Sequence, residues 1–168
     1  MKNFFFTILF FQIIILQAQD NSDQNFMGGK CVSGDCNMGY GVKEYQDGTI
    51  YIGDWWNNEP SGYGTLVLSD GTIYVGHFEK GSYNGDGTLM NNNELYIGEF
   101  SNDNPHGTGT MFYSNGNMYV GNFKKGQLHG SGFLQHNDKT IEEGDWKNGT
   151  RSGDVIFQTN GYIKREKE

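Results

Sequence analysis

The chain is short of aliphatic residues. Hydrophobic residues of every kind make up 35% of its 168 positions, and aromatic rings alone account for 15%. That shortage argues against a compact globule with a thick two-layer core. It suits a thin sheet, in which a flat ring covers a bare backbone position. Long apolar runs are lacking as well. The one such stretch, Phe4 to Leu16, is broken by Thr7 and Gln12 and falls short of the roughly 20 residues of a membrane span. Lys2 precedes it, and Gln17-Ala18-Gln19 and the polar stretch Asp20 to Asn25 follow it. Residues 1–18 therefore read as a signal peptide removed after Ala18 or Gln19, with a retained anchor as the alternative. The expected mature protein is exported, to the periplasm or beyond the cell, or held at the envelope.

Basic residues are scarce: 12 Lys and Arg stand against 20 Asp and Glu, for a net charge of −8, and loss of the leader would remove Lys2. That balance opposes nucleic acid and anionic lipid surfaces as partners. The acidic residues are scattered, as on a solvated surface. There are only two cysteines, Cys31 and Cys36, and no histidine lies before His77. A structural zinc needs four ligands, so in an exported chain the pair reads as a disulfide, with free thiols as the alternative.

Catalytic patterns are absent too. No Gly-x-Ser-x-Gly elbow, P-loop or His-Glu-x-x-His occurs. His106 and His129 hold equivalent places in successive units, as expected of a repeat that reuses a residue suited to its turn. No catalytic residue, metal or cofactor is expected, and the chain reads as a non-enzyme.

What the chain has in abundance is repetition. The copies begin Tyr51-x-Gly53-x-Trp55, Tyr74-x-Gly76-x-Phe78, Tyr96-x-Gly98-x-Phe100, Tyr119-x-Gly121-x-Phe123 and Glu142-x-Gly144-x-Trp146, at a spacing of 22 or 23 residues. Each is followed by a second glycine element: Gly62-x-Gly64, Gly85-x-Gly87, Gly107-x-Gly109, Gly130-x-Gly132 and a decayed Gly153. A period of this length marks a stack of units, none able to bury its apolar surface alone.

Thr72 to Phe78 is strand-like, and Asp70-Gly71 before it is a hairpin signal, matched by Asp47-Gly48, Asn115-Gly116 and Asn160-Gly161. A polar turn, Asn57-Asn58-Glu59-Pro60 in the first copy, joins the two strands of a unit. The expected fold is all-β: an elongated, twisted, single-layer antiparallel meander of about five 23-residue hairpin repeats, with about eleven strands over roughly 50 Å. Residues 19–30 read as a flexible lead and 31–50 as an N-terminal half repeat or cap. Residues 51–161 read as the repeats and 162–168 as a charged tail, possible as a last edge strand. The side-chain period of two puts Tyr74, Gly76 and Phe78 on one face, so each ring can lie over the glycine pair of the adjoining strand.

These motifs, typified by Asn104-Pro105-His106-Gly107-Thr108-Gly109, resemble the MORN (membrane occupation and recognition nexus) repeat over residues 39 to about 161. The resemblance implies a β-sheet rod used for protein–protein contact, scaffolding or membrane association. It is closest to small exported bacterial members, and Glu142 and Val155 depart from the pattern in the last copy alone. Choline- or glucan-binding wall modules share the ingredients but run nearer 20 residues per unit and rely on tryptophan-rich hairpins.

Three rings are surplus to the repeat. Trp56 points away from Trp55, to the face where other copies carry Glu79, Ser101, Lys124 and Lys147, and Tyr40 and Tyr63 point there too. They are candidate binding residues for a protein partner, with lipid headgroups or glycans as the alternative. Self-packing within an irregular first unit is the plainer account of them.

Overall fold

The computed structural model describes residues 28–159 and 162–166. The signal-peptide reading of residues 1–18, and most of the lead, fall outside them. One sheet of thirteen strands holds the described residues, its strands hydrogen-bonded in sequence order and antiparallel throughout. They are β1 (Gly29–Gly34), β2 (Met38–Tyr45), β3 (Ile50–Trp56), β4 (Glu59–Val67), β5 (Ile73–Glu79), β6 (Ser82–Met90) and β7 (Glu94–Ser101). Then follow β8 (Asn104–Tyr113), β9 (Met118–Lys124), β10 (Gln127–Gln135), β11 (Ile141–Lys147), β12 (Thr150–Thr159) and β13 (Tyr162–Glu166). The two strands beyond the expected eleven lie at the ends. β1 is held against β2 where the cysteine loop was expected, and β13 is built from the charged tail. Cys31 and Cys36 are bonded, tying β1 to the turn that leads into β2.

The turns differ from the expectation in which end of the unit is tight. Asn57-Asn58, Lys80-Gly81, Asn102-Asp103, Lys125-Gly126 and Asn148-Gly149 all have both φ positive. These are two-residue turns of the mirror-image type, whose twist matches that of the flanking strands. Glu59 and Pro60, read as turn residues, already belong to β4. The Asp-Gly signals sit at the opposite margin in wider loops, where Leu68 N–H donates to the Thr72 carbonyl and Asp70 Oδ1 accepts from Thr72 N–H. The tight turns are also stitched to the preceding unit: Gly81 N–H donates to Pro60 O at 2.8 Å, Gly126 N–H to Pro105 O at 2.9 Å and Gly149 N–H to Leu128 O at 3.0 Å.

The core is a row of rings on one face. Tyr51, Tyr74, Tyr96 and Tyr119 are buried with Trp55, Phe78, Phe100, Phe123 and Trp146. Each tyrosine meets its own unit's second ring and that of the next unit edge to face; Tyr74, for example, lies 5.0 Å from Phe78 and 5.1 Å from Phe100. The chain of contacts runs unbroken from Trp55 to Trp146, in the geometry aromatic quadrupoles favour.

Beneath the rings, every strand from β2 to β11 sets a glycine against its neighbour's glycine. A Cβ on Gly76 would stand 2.6 Å from both Gly87 Cα and Tyr74 Oη. At the capped end Gly41 lies under Cys36 Sγ, 2.9 Å from where its Cβ would be. The disulfide thus covers the position that a ring covers elsewhere.

The two glycines of each pair do different work. The second lies under a ring. The first, Gly62, Gly85, Gly107 or Gly130, has positive φ at a β-bulge, where the register of the strand slips. The tyrosine hydroxyl closes this bulge: Tyr51, Tyr74 and Tyr96 donate at 2.9 Å to the carbonyls of Asp54, His77 and Glu99. The opposing polar side chain closes it from the other face. Asp54 Oδ2 accepts from Tyr63 N–H, Glu99 Oε1 from Thr108 N–H, and Asn122 Nδ2 donates to the Ser131 carbonyl.

Candidate binding face

The face opposite the rings carries three rows of side chains running along the rod. One row, read across paired positions, is Val42, Ile52, Thr65, Val75, Thr88 and Ile97, and it continues through Thr110 and Val120 to Phe133. The row beside it runs Ile50, Val67, Ile73, Met90, Leu95 and Phe112, and then Met118. Aliphatic and threonine side chains pair well across strands, so these rows stabilise the sheet. No second layer of described residues covers them: Val75, Met90 and Ile97 are close to half exposed, and Phe112 is more than a third exposed. An uncovered apolar band of this kind marks a surface for docking.

The third row borders the first on the tight-turn side and is polar. It takes in Tyr40, Asp54, Tyr63, His77, Asp86 and Glu99, then Thr108, Asn122, Ser131 and Asp145. Its carboxylates Asp54, Asp86, Glu99 and Asp145 are exposed, and it contains no Lys or Arg among the described residues. Bonds from Thr108 N–H and Oγ1 hold the Glu99 carboxyl below its ordinary pKa, so it stays ionised.

All three surplus rings stand on this face and are exposed: Tyr40 and Trp56 at 64% and Tyr63 at 67%. Tyr40 and Tyr63 line one open cleft floored by Ile52, Thr65 and Val75. Tyr63 also meets the His77 ring edge to face at 5.4 Å. Trp56 lies apart from the cleft at the turn margin, paired with Met38. The histidines are dispersed, with His106 on β8 and His129 on β10. Among the described residues no three His, Cys, Asp or Glu side chains converge as metal ligands.

Glu142, in the place of a core tyrosine, is instead clasped by His136 Nε2 at 2.7 Å and Arg151 Nη1 at 3.5 Å. Sequence reasoning passed over the two apolar rows and the acidic row. The signal was present: the residues on either side of the tyrosine in each Tyr-x-Gly motif are β-branched or aliphatic, and the residue after the glycine is polar in every copy.

The family match fits this architecture. Matches to the MORN repeat fall at residues 38–50, 51–73, 96–118, 119–141 and 143–153, together more than half of the chain. The unmatched unit, 74–95, has the same ring and glycine contacts as the others. No curated protein matches the chain. Among solved structures it is similar to the TCP10 domain of Danio rerio CPAP in complex with a STIL peptide. That likeness has 13% identity and a TM-score of 0.42, and it covers 77% of this chain and 64% of that one. It is also similar to the SAS-4 (dCPAP) TCP domain of Drosophila melanogaster, in complex with a proline-rich motif of Ana2. There the identity is 12% and the TM-score 0.38, over 90% of this chain and 97% of that one. From its matched repeats and the ring-over-glycine geometry that unites them, the chain belongs to the MORN repeat family.

Proposed function

We propose that this protein is a non-catalytic binding module, exported by its apolar leader, that holds a protein partner against the face opposite its rings. The observation that carries the reading is the band of Val75, Met90, Ile97 and Phe112, exposed on a sheet whose other face alone supplies the core. A one-layer sheet needs only one apolar face to fold, and the second is available for a partner. Tyr40, Trp56 and Tyr63 are the proposed anchors at the N-terminal end, because large rings dominate binding energy where they become buried.

Affinity capture of the exported protein from its own envelope fraction, read by mass spectrometry, tests this. A defined protein partner is the expected result, with capture weakened by Trp56→Ala while thermal unfolding stays unchanged. Recovery of lipid or polysaccharide alone would replace the reading with that of an envelope-binding module acting through the same rings. Full capture by Trp56→Ala would remove Trp56 from the site.

A further inference from the structure

Resting on the reading of the chain as a protein-binding module, we infer that the partner element is an amphipathic helix with Lys or Arg along one flank, lying lengthwise on the apolar band. Three observations fix this chemistry. First, the strands are already bonded to neighbours on both sides, so the face presents side chains and offers no free ladder of backbone donors and acceptors. An extended peptide laid across it would bury N–H and C=O groups without partners; a helix satisfies its own. Among the described strands, capture as an added strand is open at β1 and β13, away from the band.

Second, the band is two side-chain rows wide. That width matches the apolar stripe of one helix rather than a second sheet. Its longer row extends from β3 to β10 for about 34 Å at about 4.8 Å per strand, the length of a helix of about 22 residues at 1.5 Å each. Third, the border on the tight-turn side is acidic. Asp54, Asp86, Glu99 and Asp145 lie along that side of the band with no Lys or Arg among them, so a basic flank on the helix favours the encounter there.

The test uses the whole protein and synthetic peptides of about 22 residues with a leucine stripe. One carries Lys along one flank, the second carries Glu there, and the third has the Lys peptide's composition in scrambled order. The Lys peptide is expected to bind at least tenfold more tightly than the other two, to gain helical circular dichroism on binding and to weaken as salt is raised. Asp86→Asn with Glu99→Gln should weaken it about tenfold. Asp47→Asn with Asp70→Asn, which removes equal charge from the opposite loops, should leave it unchanged.

Equal loss from both pairs would reduce the effect to net charge and overturn the inference. So would binding without helix gain, or self-association of the protein through Val75 and Ile97 that excludes the peptide. Crosslinks from a captured natural partner separate the two readings. A partner mapped to the ring face or to β1 overturns the helix assignment and leaves the binding module standing; the absence of any protein partner removes both.

Discussion

A Cβ on Gly87 would stand 2.5 Å from Tyr74 Oη and 2.6 Å from Cε2, so Gly87→Ala must push the ring off Phe78 and Phe100. We expect a loss of about 1–3 kcal/mol, read from chemical denaturation. The sequence carries an internal control for this packing. Where the tyrosine is lost, at Glu142, the glycine thirteen positions on is lost with it, and Val155 takes its place. The rings also set an alkaline limit. Burial raises the Tyr119 phenol to about 12 and pushes those of Tyr51, Tyr74 and Tyr96 up as well. The unfolded chain releases these protons near pH 10. The stabilisation is therefore complete below about pH 10 and is lost as pH climbs from there through the folded values. With the exposed Tyr40, Tyr63 and Tyr162 replaced by Phe, phenolate absorbance should rise together with loss of the sheet's circular dichroism, and an earlier, separate rise would show that the core rings are accessible.

At the scale of the hairpin, the tight turns are the elements open to improvement. Asn58 sits at φ 65° where the equivalent turns carry Gly81, Gly126 and Gly149. Only glycine adopts that conformation freely, so Asn58→Gly should raise stability by about 0.5–1 kcal/mol. A β-branched Asn58→Val should lower it by at least as much, and equal midpoints for the two variants would contradict the turn assignment. Here the sequence was legible in part. The period and its glycines set the strands, because ring and glycine must alternate at fixed offsets. The sequence places the tight turn at the wrong margin because Asp70-Gly71 has hairpin chemistry, whereas Asn57-Asn58 and Asn102-Asp103 take up positive φ with no glycine at all. The bulges were illegible for a related reason. Both members of Gly85-x-Gly87 look alike as letters, yet one supplies a backbone angle and the other an empty space. At the candidate site, Trp56, Tyr40 and Tyr63 stood out as breaks in the pattern, while the apolar rows were hidden by belonging to it.

Across the molecule, coupling is between neighbours only. Phe100 joins two units, 5.1 Å from Tyr74 and 5.0 Å from Tyr96. Phe100→Ala should cost about 3–5 kcal/mol and should divide the rod, so that amide exchange resolves two blocks where the parent protein shows one. Uniform loss of protection along the whole chain would point instead to a single cooperative unit. The sequential strand order has a mechanical consequence. Its first and last strands lie at opposite ends of one sheet, with each strand running across the long axis. Tension applied through the termini therefore opens the outermost hydrogen bonds one after another, as a zipper does, instead of loading a whole strand pair in shear. Such a rod would yield at low force and in steps of one hairpin, and so would serve to hold a partner at a set spacing and not to carry pull between two anchored points.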